Sequence, residues 1–510
     1  MFQKLFKPLD KLIDTITMYR LLMYYLIGLL VAAIVLSFMG NLHYNPVALA
    51  VSAGILVFTS WIVNKIFGYI FEAPINPESS ILTGLILALI IPPDLTLLGI
   101  LFMIAAAGLA VASKYILTIR YKHIFNPAAI AVVLTALGPN QHASWWVGSA
   151  TMLPLVIVGG IIVTRKVRRE YMVYSFLIAT TLATIVYSLL GGSNIWTSIQ
   201  NMLLSSPVFF LGFVMLTEPY TSPSTRKKQI GYAVLVGILL PPQAHIFNFY
   251  TTPEISLIIG NIFAYLVGNK VKLFPDIRQK NRLTPDTIEF VFQPNGKLLY
   301  QPGQYMEWTL PHTSPDQRGS RRYFTLASSP TEQNLAIGVK FYDKRSTYKN
   351  ALIDMTRDNQ IVASQVSGDF VMPKDPDQKL AFIAGGIGVT PFRSMIKFLI
   401  DTNQARDVAM LYAARTVADF AYKETFEQAR AQLGTRVLYV ASNQDTAASA
   451  ANTISGTISA DLIQQTMPDF QERIFYISGT HAMVEAVQEM LSSMGVSHTN
   501  VKVDFFPGYA

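Results

Sequence analysis

The sequence predicts a chain in two parts, an α-helical polytopic membrane domain followed by a soluble part that joins an antiparallel β-barrel to a doubly wound α/β nucleotide domain. Three observations carry this. Of 510 residues, 51% are hydrophobic and only 14% charged, too apolar for a wholly soluble chain. The composition changes abruptly near residue 272, at "VGNKVKLFPDIRQKNRL", from apolar runs to an ordinary α/β pattern. Further on, the apolar run from Leu380 breaks into glycines at Gly385, Gly386 and Gly388, and a helical pattern follows from Pro391. Glycine permits close backbone approach and a helix N-terminus offers free N–H groups to phosphate, so this stretch reads as a dinucleotide cradle. The expected domains are 1–272, 273–377 and 378–510.

At the start of the chain, Phe2, Leu5, Phe6, Leu9, Leu12, Ile13 and Ile16 recur at helical spacing beside Lys4, Lys7 and Lys11. This predicts an interfacial helix rather than a signal peptide. Ten apolar segments follow, at 19–39, 46–67, 79–92, 95–113, 126–138, 145–164, 172–190, 199–216, 230–242 and 254–269. A full span needs about 20 residues, so the third, fifth and ninth read as broken or re-entrant helices. Alternate connections carry Lys65; Lys114, Arg120 and Lys122; Arg165, Lys166, Arg168 and Arg169; Arg226, Lys227 and Lys228; and Lys270 and Lys272. The opposite turns carry neither Lys nor Arg. The positive-inside rule then places both termini in the cytoplasm and the chain in the cell membrane. The formal charge of +8 is thereby a topology signal and not a nucleic-acid footprint. "EAPINPESSILTGLILALIIPP" from Glu72 resembles "EPYTSPSTRKKQIGYAVLVGILLPP" from Glu218, which suggests two five-span halves in inverted orientation. Glu72, Glu78 and Glu218 either serve a flavin or a cation path or form interfacial ion pairs, and Asn126 either caps a helix or touches a ligand.

"NPESSILTGLILALIIPP", "HIFNPAAIAVVL" and "LTEPYTSPSTRKKQIGY" resemble the B subunit of sodium-translocating NADH:quinone reductase and the D subunit of the Rnf complex, over most of residues 40–270. That resemblance implies ten spans, an inverted repeat and bound flavin, with an FMN linked through its phosphate to a threonine on the outer side. The corresponding segment here is "WWVGSATMLP", where Thr151 is the candidate; glycine and serine are exchanged relative to the family motif, and Trp145 stands at its aspartate position.

In the soluble part, "TIEFVFQP", "YMEWTLPH", "RRYFTLAS" and "AIGVKFYDK" alternate or run apolar between turns and predict the barrel. From Lys379, "KLAFIAGG", "DVAMLYAART", "RVLYVASN" and "RIFYISGT" alternate with helical patterns and predict the parallel sheet. Residues 281–510 resemble the ferredoxin–NADP⁺ reductase superfamily, through "QPGQYM", "RRYFTLASSP", "KRSTYKNAL", "GGIGVTP", "YISGTHAM" and "VDFFPGYA". By that resemblance Arg322 binds the FAD pyrophosphate, the ring of Phe324 contacts the flavin, with Tyr323 beside it in the cofactor site, and Thr325 lies near the flavin N5. Ser346 and Thr347 form a second phosphate-binding turn. Gly385, Gly386, Gly388, Thr390 and Pro391 cradle the NAD(P)H pyrophosphate. Ser478 and Gly479 stand beside the nicotinamide, where relatives carry cysteine and glycine, and Thr480 replaces a proline. Phe505 or Phe506 supplies an aromatic near the isoalloxazine, and Arg415 reaches the adenosine phosphate. Thr325, Ser478, Phe505 and Phe506 are thus the expected catalytic residues.

The chain has no cysteine, which excludes disulfides, thiolate metal sites and cysteine-ligated iron–sulfur clusters. Expected cofactors are FAD and NAD(P)H, with FMN at Thr151 as an addition. Reduced FAD must then meet a flavin, a quinone or an extracytoplasmic acceptor directly, within this chain or with additional subunits or further copies. Two other readings stand beside this one. A haem-type ferric or oxygen reductase needs paired histidines within spans, whereas His43, His123, His142 and His245 sit at span ends. A solute transporter gated by a nucleotide domain would leave a complete FAD site without purpose.

Overall fold

The computed structural model describes residues 16–71, 77–119, 122–137, 142–246, 249–268, 272–313, 315–316, 319–443 and 452–506. The predicted interfacial helix up to Ile13, together with Glu72, Arg120 and Lys270, lies outside them. The chain divides into two compact units, Met1–Lys270 and Val271–Ala510.

In the first unit every predicted apolar segment contains a helix: α1 Met18–Phe38, α2 Pro46–Ile70, α3 Pro77–Ile90, α4 Leu97–Ile116, α5 Pro127–Ala136, α6 Leu153–Val167, α7 Glu170–Leu190, α8 Ile195–Leu204, α9 Arg226–Leu239 and α10 Pro253–Val267. Four of these, α1, α2, α4 and α7, are long and apolar enough to cross a membrane, and a fifth span arises if α8 is joined to Val208–Met215 across a 58° bend. The others run 10–15 residues, and a polar cap before proline opens long and short helices alike. Asn45 before Pro46, Asn126 before Pro127 and Thr252 before Pro253 each place a side-chain acceptor on the first free N–H groups, with proline where no donor is needed. Small residues bring helices together, since a Cβ at Gly84 would lie 2.6 Å from Val57 Cα and one at Gly237 would lie 2.8 Å from Phe176 O.

Two-stranded ribbons follow α4 (β1 Thr118–Ile119, β2 Lys122–His123) and α9 (β3 His245–Ile246, β4 Phe249–Tyr250). They pair the fourth helix with the ninth, whereas the Pro-Pro similarity pairs the third with the ninth, so the two signals set different repeat registers. Buried polar groups bind one another across this unit. Asn126 donates Nδ2 to Glu218 Oε2 at 2.7 Å and its N–H to Asn261 Oδ1 at 2.8 Å. Thr221 donates to the same Glu218 oxygen at 3.2 Å. Glu78 is ion-paired to Arg20 at 2.9 Å.

The second unit opens with two three-stranded antiparallel sheets. One has the order β5 (Asp276–Thr284), β6 (Thr287–Gln293), β9 (Leu335–Lys340); the other has β10 (Val362–Ser367), β7 (Tyr305–Thr309), β8 (Arg321–Thr325). Alternation puts Phe290, Phe292, Ile337, Met306 and Trp308 inward, all 0% exposed, and the Phe292 and Trp308 rings meet at 4.9 Å. Leu326 N–H donating to Gln304 O continues the β7–β8 pairing, and Ala327 N–H donating to Ala336 O in β9 ties the two sheets at one corner.

A six-stranded parallel sheet follows, with β11 Leu380–Gly385, β12 Val408–Ala414, β13 Arg436–Ala441, β14 Thr453–Ser455, β15 Ile474–Thr480 and β16 Val501–Phe506 in the order β14-β13-β12-β11-β15-β16. Leu380 to Ala384 are all fully buried, as a strand covered on both faces requires. One face packs Phe392, Met395 and Leu399 of the helix Thr390–Asp401, and the other packs Val484, Val487 and Leu491 of the helix His481–Ser493.

Candidate FAD and dinucleotide site

The sheet order reverses between β11 and β15, and ligands in such sheets bind beyond the strand C-termini at that reversal. The glycine turn and the "YISGT" segment meet there. Gly386 has a φ of +54°, left-handed backbone that favours glycine. A Cβ at Gly388 would lie 2.4 Å from Ser478 O and 2.6 Å from Gly479 Cα, and one at Gly385 would lie 2.1 Å from Met483 Sδ. The two segments therefore touch backbone to backbone. Thr390 is buried, and its hydroxyl donates to Ile387 O at 3.2 Å, closing the turn from within. Pro391 stands in the first turn of the helix, where its missing N–H costs nothing. Ser478 is 0% exposed and its Oγ has no hydrogen-bond partner. Backbone pairing sets Phe505 beside Gly479 and Phe506 beside Thr480. Arg415 is exposed just past the end of β12.

On the barrel, β8 carries the Arg322 to Thr325 motif. Thr325 ends the strand, is 2% exposed, and its Oγ1 likewise lacks a partner. An orphaned buried hydroxyl costs about 1–3 kcal/mol, so two of them at expected flavin and nicotinamide positions fit a site that ligand atoms complete. Arg322 is buried, its guanidinium lies 4.9 Å from the Tyr348 ring centroid, and Nη1 donates to Gly319 O at 3.2 Å. Burial pushes the Tyr348 phenol above its ordinary pKa, and it donates to Trp308 O at 3.2 Å. Phe324 is half-buried, packs 6.1 Å from Tyr348 and pairs across the sheet with core residue Met306. Its neighbour Tyr323 is 40% exposed and donates to buried Glu307 at 2.9 Å. The more open ring of this pair is thus Tyr323.

The turn at Ser346 and Thr347 begins the eight-residue helix Thr347–Asp354. Ser346 is its N-cap, accepting from Lys349 N–H at 3.3 Å. Thr347 Oγ1 accepts from Asp316 N–H at 2.9 Å and bonds His312 Nε2 at 3.0 Å, while Thr347 N–H donates to Asp316 Oδ2 at 3.2 Å. Asp316 also lies 4.0 Å from Arg322 Nη2. A carboxylate of the chain itself therefore sits between the arginine and the helix start, where the resemblance places phosphate. The sequence offered no sign of Asp316, Glu307 or Tyr348 as members of this site, because each is brought in by strand pairing or long-range packing.

Thr151, in the other unit, is exposed in the turn before α6, and its hydroxyl donates to Asn41 O at 3.4 Å. Trp145 is buried with a φ of +51° and donates Nε1 to Glu254 Oε2 at 3.1 Å.

Residues 382–489 match the family described as the oxidoreductase NAD-binding domain. The glycine betaine monooxygenase reductase subunit of Chromohalobacter salexigens is 25% identical over 227 residues, 44% of this chain and 61% of the relative. Flavohemoprotein A of Dictyostelium discoideum is 24% identical over 244 residues, 45% of this chain and 59% of its own. The stachydrine N-demethylase reductase subunit of Rhizobium meliloti is 27% identical over 233 residues, 44% of this chain and 65% of the relative. The chain spans about six tenths of the length of these curated relatives. Among solved structures, the flavohem-like FAD/NAD-binding domain of nitric oxide dioxygenase from Vibrio cholerae is similar at 21% identity and a TM-score of 0.40, over 46% of this chain and 98% of that one. The C-terminal unit thus carries an oxidoreductase NAD-binding domain, with FAD and NAD(P)H as its cofactors, and is similar to the reductase subunits and the flavohemoprotein named above.

Proposed function

We propose that this chain is a membrane flavoenzyme in which cytoplasmic NAD(P)H reduces FAD and the electrons pass to a flavin or quinone-type acceptor of the helical unit. The observation that carries the reading is the pair of buried, unpartnered hydroxyls, Thr325 and Ser478, in a unit whose glycine turn stands at the reversal of the parallel sheet. When bound, FAD would supply an acceptor for the nicotinamide's hydride together with a proton from solvent, and a source of single electrons thereafter.

The chain's own residues orient rather than exchange protons. The turn at Gly385, Gly386 and Gly388, with Thr390 and Pro391 at the helix start, presents backbone N–H groups to the dinucleotide phosphates. Gly479 would leave room for the nicotinamide, and Ser478 would offer it the unpartnered hydroxyl. Arg322 and the helix start at Ser346 and Thr347 hold the FAD pyrophosphate, which requires the Asp316 carboxylate to swing away. Tyr323 or Phe324 would offer a ring to the flavin and Thr325 its hydroxyl, and Phe505 or Phe506 is the proposed further aromatic of the site. Arg415 takes the adenosine phosphate.

The helical unit is read as ten spans in two inverted halves, with both termini cytoplasmic. Its ten helical segments, proline-capped half-length helices and alternating basic connections support that topology. The exposed hydroxyl of Thr151 is the proposed attachment point for FMN, linked through its phosphate. A quinone, a second flavin or an outer-face acceptor then receives the electrons.

The test uses detergent-purified full-length protein. Anaerobic NADH or NADPH should bleach an absorbance near that of oxidised flavin, acid should extract FAD, and a fluorescent band surviving denaturing electrophoresis should vanish in Thr151→Ala. A haem absorption band, or flavin that neither nucleotide bleaches, refutes the reading. A fluorescent band that persists in Thr151→Ala refutes the attachment alone.

A further inference from the structure

We propose that Arg393 is a positioning residue that holds the dinucleotide turn in register with the flavin strand. This rests on the functional reading above and goes beyond it by naming the coupling between the two halves of the site. The helix Thr390–Asp401 begins where the glycine turn ends, so its N-terminus faces the dinucleotide phosphates. One turn further along, Arg393 leaves the nucleotide domain and reaches the barrel. Its Nη2 donates to Glu332 Oε1 at 2.9 Å, and Nη1 donates both to Glu332 Oε2 and, at 3.0 Å, to Ala327 O. Ala327 lies two residues beyond Thr325 on the same extended segment.

The neighbouring contacts repeat the pattern. Ser394 donates to Ser328 O at 2.6 Å, and Thr331 donates to Asp401 Oδ2 at 2.5 Å near the far end of the helix. Glu332 is itself held, accepting from Ser329 N–H at 2.6 Å. The turn also touches the barrel directly, because a Cβ at Gly338 would lie 2.9 Å from Thr390 Cγ2 and 3.1 Å from Ile387 Cδ1. One rigid helix therefore carries the dinucleotide turn at its start and grips Ala327–Glu332 along its length.

Arginine suits this task because its planar fork fixes direction as well as charge, which a lysine ammonium does not. The Arg393 side chain is 13% exposed and that of Glu332 26%, dry enough for the pair to hold one geometry. They line a polar cleft of about 610 Å³ together with Ser328 and Glu289. Loss of the fork thus admits water at the cleft wall and leaves the apolar cores intact. The hydride step needs donor and acceptor placed to within about 1 Å, so a loosened register slows it without weakening either cofactor's own contacts.

The experiment compares full-length wild type with Arg393→Ala, Glu332→Gln, Arg393→Lys and the exchanged pair Arg393→Glu with Glu332→Arg. FAD content, melting temperature, the NAD(P)H concentration dependence and the rate of anaerobic flavin bleaching are measured for each. Amide hydrogen exchange over 326–332 and 386–390 is followed in flavin-free protein. We expect Arg393→Ala and Glu332→Gln to keep FAD and nucleotide affinity within about twofold, to slow bleaching about tenfold, and to speed exchange in both segments. Arg393→Lys should recover only part of the rate, and the exchanged pair most of it. An unchanged rate, a loss that merely follows lost FAD, or unchanged exchange overturns the proposal. Failure of NAD(P)H to bleach the wild type overturns the functional reading and this role with it, and is recognised because it appears without any substitution.

Discussion

The two ends of the parallel sheet are built on opposite principles. At the N-terminal ends of the strands, Arg473 has a fully buried side chain and every direction of its guanidinium is used. It donates to Leu380 O at 3.0 Å, to Asp407 Oδ1 and Oδ2 at 3.0 and 2.9 Å, and to Asp469 Oδ1 and Oδ2 at 2.7 and 2.8 Å. Lys379 adds ion pairs to Asp469 and Glu472 at 3.0 and 2.6 Å. At the C-terminal ends, side chains are withdrawn, backbones touch through Gly385, Gly388 and Gly479, and the Ser478 hydroxyl is left without a partner. One end satisfies its polar groups internally and stabilises. The other leaves groups for a ligand to satisfy, and so loses stability where it gains chemistry.

That contrast can be broken from either side. The largest effect is expected from Arg473→Met, which leaves Asp407 and Asp469 facing each other without their shared cation. It should cost about 3 kcal/mol of stability in the nucleotide domain, read as a lowered melting temperature, while the bleaching rate per folded molecule stays the same. Gly388→Val attacks the opposite end, since its Cβ must displace the backbone of Ser478 and Gly479. It should slow NAD(P)H-driven flavin bleaching about 100-fold, about 2.7 kcal/mol of barrier, with FAD retained because the barrel is untouched.

Ser478→Ala sharpens the comparison by removing an unpartnered hydroxyl. Stability should hold or rise slightly, while bleaching slows about tenfold, about 1.4 kcal/mol; a clear fall in melting temperature with no change in rate would contradict the assignment. The smallest effect concerns acid. The hydrogen bonds from Arg473 hold the Asp469 carboxyl well below the usual carboxylate range, against the opposing pull of partial burial. A depressed folded pKa means the stabilisation is complete above the unfolded value, about 3.9, and is lost as pH falls through the folded one. Asp469→Asn should therefore lower stability by about 1 kcal/mol at neutral pH, discounted for its partly exposed carboxylate, and flatten the decline in melting temperature below about pH 4.

How much of this was legible depended on the range of the interaction. The strands β6, β7, β8 and β9 announce themselves because they alternate or run apolar between turns, as around the inward Phe290, Phe292, Met306 and Ile337. β5 and β10 do not: "DIRQKNRLT" is an edge strand with few apolar residues, and "VASQVS" is built of small ones, so neither shows a period. β14, three residues at the sheet edge, is too short to show one. In the helical unit the ten apolar segments could be read directly, but how far each helix runs could not, since the same asparagine–proline start opens the 25-residue α2 and the 10-residue α5. Four helices have clear spanning length. The motif's aromatic pair was visible as Tyr323 and Phe324, yet which ring stands open followed only from the pairing of Phe324 with Met306.

By itself the sequence determined what is local: the compositional boundary, the apolar segments, the glycine turn with its helix, and the absence of cysteine that removes cysteine-ligated iron–sulfur clusters from this chain. These rest on residue chemistry and short periodicities, which need no partner to be read. The tertiary structure alone decided which polar groups meet. Arg393 and Glu332 are 61 residues apart, Asn126 and Glu218 are 92, and Arg473 and Leu380 are 93. Nothing in a local pattern signals such a contact, because its geometry exists only after the strands and helices between them have packed.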